Sequence, residues 1–109
     1  MTVPKEYRAL FSRWCAERVP AHARAHLQIG FRIHGDVVTI LERRPPEFPE
    51  LSSVWTSTSV AQLRHNDPEP GLWRIYHWVE DSWRCYDHPP STMPEPLLAM
   101  IAADPDKVF

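Results

Sequence analysis

The spacing of apolar and polar positions changes along this chain and divides it into a helix, a run of strands and a second helix. Between about Pro4 and Val19, the residues Tyr7, Leu10, Phe11 and Trp14 recur at the i, i+3, i+4, i+7 spacing of one helical face. Arg8, Arg13, Glu17 and Arg18 fill the remaining surface. Thr2 is placed to cap this helix, Pro4 suits its first turn, and Glu6 adds negative charge near the positive end of its dipole. Pro20 ends or kinks it, and the alanine-rich joint at 21–25 favours a short helical turn.

The period then falls to two. Leu27, Ile29, Phe31 and Ile33 alternate with Gln28, Gly30, Arg32 and His34, the pattern of a half-buried strand. Gly35-Asp36 puts glycine first in a two-residue turn, which suits type II′, and the chain returns from Val37 to Arg43. That loop length pairs Ile33 with Val38, Phe31 with Ile40 and Ile29 with Glu42. Glu42 thus falls at the end of an apolar face, where a charge must be paired, solvated or functional.

Arg43-Arg44-Pro45-Pro46 stops this strand, and residues 47–53 form a proline-bearing loop. From about Val54 to His65 the chain extends again, most clearly over Val60-Ala61-Gln62-Leu63-Arg64. After the loop at 66–71 come Trp73-Arg74-Ile75-Tyr76 and Trp83-Arg84-Cys85-Tyr86, two copies of Trp-Arg-X-Tyr around an acidic Glu80-Asp81-Ser82 turn. This reads as a β-hairpin pairing Val79 with Ser82, Trp78 with Trp83 and Tyr76 with Cys85. Tyr76, Trp78 and Trp83 then share one face, and Trp73, Ile75 and Tyr86 the other. A last helix carries Leu97, Leu98, Met100 and Ile101, with Ser91 or Thr92 as its cap; Asp104-Pro105 ends it and leaves 106–109 as a tail. The order predicts a single α+β domain over 1–109: an N-terminal helix, an antiparallel meander of four to five strands, and a C-terminal helix.

Composition changes this picture little. The chain has 109 residues, 43% of them hydrophobic and 24% charged, the range of one soluble globular core. Its formal net charge of −2 supplies no global field for nucleic acid or anionic membrane. Its cations, however, are almost all arginine, which suits planar recognition of carboxylate or phosphate and stacks on aromatic faces. No apolar run is long enough to span a bilayer, and no signal-peptide core opens the sequence. With only Cys15 and Cys85, these features predict a cytoplasmic protein with reduced thiols.

Glu42-Arg43-Arg44-Pro45 after an alternating strand, then Val60-Ala61-Gln62-Leu63-Arg64, Trp73-X-X-Tyr76, Trp83-X-X-Tyr86 and Asp104-Pro105 form an ordered set of motifs. In that order and spacing, from about Pro20 to Phe109, the chain resembles a small bacterial family known only as domain of unknown function 3024. The resemblance implies a stand-alone bacterial domain and carries no activity to transfer. In that family an aromatic is common at the position of His65, and the hairpin turn tends to be basic. This chain departs at both, with an imidazole and with Glu80-Asp81.

Three groups of residues bear candidate chemistry. Glu42 and Arg64 end neighbouring strands and are placed for a cross-strand ion pair; the functional alternative makes Glu42 a general base, which needs a partner acid and a cleft. Cys15, His22, His26, Cys85 and His88 supply metal-ligating atoms, but at no standard finger spacing; the plainer reading is a buried thiol and solvated histidines. The hairpin aromatics are either core or an exposed patch, with Arg74 or Arg84 adding a stacking cation. No glycine loop for phosphate and no nucleophile motif is present.

The expected function is therefore a non-enzymatic binding or adaptor module. Its surface would be drawn from Arg43, Arg64, Trp73, Arg74, Trp78, Trp83, Arg84 and Tyr86, with no cofactor. The expected partner is a protein, including a second copy of the chain; single-stranded nucleic acid is a less favoured partner, and a membrane is not expected. The alternative is a small hydrolase-like or metal-assisted enzyme using Glu42 and the histidines.

Overall fold

A computed structural model describes residues 3–67, 69–104 and 109. Helix α1 (Lys5–Arg18) is followed by a single 3₁₀ turn at Ala21–Ala23, then strands β1 (Gln28–His34), β2 (Val37–Arg44), β3 (Thr56–His65), β4 (Trp73–Val79) and β5 (Ser82–Cys85), and helix α2 (Glu95–Ala103). The five strands form one antiparallel sheet in the order β1-β2-β3-β4-β5. This is the expected α+β meander. No helix among the described residues is long and apolar enough to cross a membrane.

Both turns expected to hold two residues do so. Ile33 faces Val38, Phe31 faces Ile40 and Ile29 faces Glu42 across the first. Gly35 has a φ of 60°, which a type II′ turn requires of its first residue and glycine supplies without steric cost. Across the second turn Trp78 faces Trp83 and Tyr76 faces Cys85. Here Glu80 and Asp81 both take positive φ, 49° and 65°. That is the type I′ geometry, normally given to Asn-Gly, held here by two residues that carry a Cβ.

The helix ends depart from expectation. Pro4 occupies the N-cap position of α1 with no side-chain cap, and Thr2 lies outside the described residues. Pro94 occupies the corresponding position of α2, so neither Ser91 nor Thr92 caps it. Ser91 instead exchanges two backbone hydrogen bonds with Trp73, 2.6 and 2.9 Å, which continues the edge of β4 beyond the end of β5. Asp104 closes α2 in the left-handed region, its N–H donating to the Met100 carbonyl. Of the expected tail, 105–108 lie outside the described residues, whereas Phe109 packs at 5.2 Å from the Tyr86 ring.

One core lies between the sheet and the two helices. Phe11 and Cys15 of α1 and Leu97, Leu98 and Ile101 of α2 pack on Val38, Ile40, Ala61, Leu63, Trp73 and Ile75. These strand residues all belong to one face, so both helices cover the same side. Trp73 is wholly buried at the centre, its ring 4.4 Å from His65, 5.3 Å from Tyr7 and 5.9 Å from Phe11. Truncating such a residue to alanine costs roughly 3–5 kcal/mol.

Candidate functional site

Since the helices occupy one side, the other face of the sheet is built from strand side chains alone. Alternation places Arg32 and His34 of β1, Val37, Thr39 and Arg43 of β2, Gln62 and Arg64 of β3, Arg74, Tyr76 and Trp78 of β4, and Trp83 of β5 there. Two rows cross the strands. Arg32, Thr39, Gln62, Tyr76 and Cys85 are successive partners in one; His34, Val37, Arg64 and Arg74 are successive partners in the next.

A β-bulge decides how β3 enters these rows. The β2–β3 register shifts between Ile40, which faces Ala61, and Leu41, which faces Ser59, leaving Val60 as the extra residue. Beyond it, Gln62 and Arg64 are directed to the uncovered face while Ala61 and Leu63 are fully buried.

Arg64 is held there by its neighbours. Its Nε donates to Gln62 Oε1 at 2.8 Å, and Gln62 Nε2 donates to Thr39 Oγ1 at 3.2 Å. Its guanidinium carbon lies 3.9 Å from the centroid of the Tyr76 ring, a cation–π contact. The Tyr76 hydroxyl donates in turn to Asp67 Oδ2. Desolvation and the Asp67 carboxylate both push the Tyr76 phenol above its ordinary value. Arg74 stands directly opposite Arg64, and its Nε is buried without a hydrogen-bond partner. Trp78, 46% exposed, meets Trp83 edge to face at 5.2 Å. A groove of about 540 Å³ on this face is lined by Arg32, His34, Thr39, Gln62, Arg64 and Trp83, among others.

Ion pairs among the described residues are Glu42 with Arg44 and Glu80 with Arg84. None involves Arg32, Arg43, Arg64 or Arg74. Four guanidinium groups thus share one face, where the simple hairpin registers did not establish a common basic surface.

Several expected site residues fall elsewhere. Trp73 and Tyr86 are on the helix-covered face, 0% and 7% exposed, and serve as core. Arg84 faces His77 on that same side and pairs with Glu80 at 3.4 Å. Glu42 does not pair with Arg64. Arg64 faces Val37, at the far end of β2 and on the opposite face, and Glu42 Oε1 accepts from Arg44 Nε at 2.6 Å. Glu42 does line a cleft of about 240 Å³ with Trp14, Arg18, Ile29, Asp104 and Phe109. The residues suggested as metal ligands are not brought together. His22 and His26 are exposed beside the 3₁₀ turn, Cys15 is buried under α1, and Cys85 is on the uncovered face. Among the described residues no group of three His, Cys, Asp or Glu side chains could hold a metal ion.

The expected binding residues leave out Arg32 and Gln62, and Tyr76 enters the sequence reading only as a hairpin aromatic sharing a face with Trp78 and Trp83. Period-2 alternation does place Arg32 opposite Thr39 and Tyr76 beside Trp78, so the signal was present. What was missing was the knowledge of which face the helices leave open.

The chain belongs to the family described as Domain of unknown function (DUF3024), whose model matches residues 2–109 and so includes α1 as well as the motif-bearing strands. No curated protein and no solved structure matches the chain.

Proposed function

We propose that this domain is a non-enzymatic binding module whose partner is a protein docked on the uncovered face of its sheet. The observation that carries this reading is the gathering of Arg32, Arg64, Arg74, Tyr76, Trp78 and Trp83 on a face that neither helix covers. Exposed aromatic and arginine side chains are the residue types that dominate binding energy at protein interfaces. The Gln62 and Tyr76 contacts fix Arg64 before any partner arrives, which lowers the entropy lost on docking.

The two competing readings find weaker support. Single-stranded nucleic acid binders present ring faces on which successive bases stack. Here Arg64 lies over the Tyr76 ring, and Trp78 and Trp83 meet edge to face rather than as parallel platforms. A catalytic Glu42 would need a carboxylate free to move a proton, and this one is engaged by Arg44 at 2.6 Å.

Replacement of Trp83 by the photo-crosslinking residue p-benzoylphenylalanine in cells tests the proposal. A discrete protein adduct is expected, and Trp78→Ala should reduce its yield several-fold. The same residue placed at Arg13, on the exposed side of α1, should give no such adduct. Equal adduct patterns from both positions, or none from Trp83, would overturn the proposal.

A further inference from the structure

We infer that the uncovered face recognises an acidic segment, an extended peptide whose carboxylates engage Arg32, Arg64 and Arg74 and whose apolar side chain rests on Trp78 and Trp83. This rests on the sheet-face reading above and assigns the chemistry of its partner.

The first support is charge. Arg64 and Arg74 are direct cross-strand partners, and like charges in that relation destabilise a sheet. Neither is paired with a carboxylate among the described residues, and the Nε of Arg74 is buried without a partner. Among the described residues the carboxylate hydrogen-bonded to this face is Asp67, which accepts from the Tyr76 hydroxyl. The chain as a whole carries a net charge of −2. Four arginines, Arg32, Arg43, Arg64 and Arg74, thus share this face without a carboxylate partner among the described residues and against the overall sign, a local field that attracts anionic partners.

Geometry is the second support. With Nε committed to Gln62, the two terminal nitrogens of Arg64 have no hydrogen-bond partner among the described residues and remain available to a carboxylate. Arg64 and Arg74 are direct partners on neighbouring strands about 4.8 Å apart, close enough for one extended segment to offer a carboxylate to each. Arg32 lines the same groove as Arg64 and Trp83, which places cation and aromatic in one depression. A carboxylate and a phosphate satisfy an arginine fork equally. The committed Tyr76 ring and the edge-to-face tryptophans favour a peptide over a nucleic-acid strand.

The test uses the whole chain and three probes: hexaglutamate, hexalysine and a twelve-nucleotide oligothymidylate. Hexaglutamate should shift the NMR signals of the Arg64 and Arg74 Nε–H groups and of the Trp83 indole, and hexalysine should not. Its affinity should fall about tenfold between low and moderately high salt, as expected for exposed charges. Arg64→Gln and Arg74→Gln should each weaken it several-fold, while Arg84→Gln on the far side leaves it unchanged. Should Arg74→Gln disturb folding, Arg64→Lys serves in its place, since it keeps the charge and loses the fork and the stack. Tighter binding of oligothymidylate than of hexaglutamate, or hexaglutamate shifts that bypass both arginines, would overturn the inference. A discrete adduct at Trp83 whose yield is indifferent to Arg64→Gln and Arg74→Gln would sink the acidic-segment inference and leave the binding-module reading standing. The absence of any adduct at Trp83 would remove that reading itself.

Discussion

The guanidinium of Arg64 lies over the ring of Tyr76, and the hydroxyl at the far end of that ring donates to Asp67. A cation on an exposed sheet face is thereby fixed through an aromatic ring to the loop that follows its own strand. A double-mutant cycle of Arg64→Ala and Tyr76→Leu, followed by urea unfolding, should give a coupling of about 0.5–1 kcal/mol, the size of an exposed cation–π contact. Tyr76→Phe keeps the ring, loses the hydroxyl donor to Asp67 and should cost about 1 kcal/mol. Because the Tyr76 phenol is raised above its ordinary value of 10.0, the folded protein holds this proton longer than the unfolded chain. The stabilisation is complete below that value and declines as pH rises past it. Phenolate absorbance should show a tyrosine component ionising later in native protein than in urea, and Tyr76→Phe should reduce that late component by one tyrosine.

The β4–β5 turn is a second place to intervene. Glu80 and Asp81 both hold positive φ, where a Cβ is disfavoured. Substituting Glu80→Asn together with Asp81→Gly should raise stability by about 1 kcal/mol, because those residues adopt the type I′ turn readily. Loss of the exposed Glu80–Arg84 pair offsets little of this. A lower midpoint in urea for the double variant would show that the acidic pair contributes more than its geometry indicates.

His65 stacks on Trp73 with centroids 4.4 Å apart and planes 15° from parallel, so the imidazole does the packing of an aromatic ring. Its Nδ1 is buried without a partner. His65→Phe should therefore be at least as stable as the parent, whereas His65→Ala should lose about 1–3 kcal/mol. Thermal unfolding of the two variants distinguishes packing from a polar role, since a polar role would make the losses equal.

The two thiols should separate cleanly. Cys85 is exposed and Cys15 is 4% exposed, with burial pushing the Cys15 thiol from 9.0 up to about 11. An alkylating reagent near neutral pH should modify Cys85 in the native protein and reach Cys15 only on unfolding. The folded state retains the Cys15 proton where the unfolded chain has lost it. Stability from this group is thus complete below pH 9.0 and falls between 9.0 and about 11. The slope is at most about 1.4 kcal/mol per pH unit. Cys15→Ala should remove that part of the alkaline decline.

Local pattern determined much of the fold. Strict alternation with Gly35-Asp36 between its halves specifies the β1–β2 register, because a slip of one residue would send Phe31, Ile33, Val38 and Ile40 to the wrong face. The same reasoning paired Trp78 with Trp83 and Tyr76 with Cys85. The helices announced their buried stripes, and Cys15, one turn beyond Phe11, is the buried thiol of the plainer reading and extends the core face of α1.

Tertiary structure decided the site. β4 carries large side chains on both faces, so alternation alone cannot say whether Trp73 and Ile75 or Tyr76 and Trp78 meet the helices. The choice is made by where α1 and α2 can both bury their apolar stripes, a set of contacts between segments distant in sequence. The bulge at Val60 is equally non-local, since an extra residue is defined only against its partner strand. Together these set Arg64 on the open face away from Glu42, beside Arg74 and over Tyr76. A sequence lists its arginines in order; which of them share a surface depends on how the whole sheet is covered.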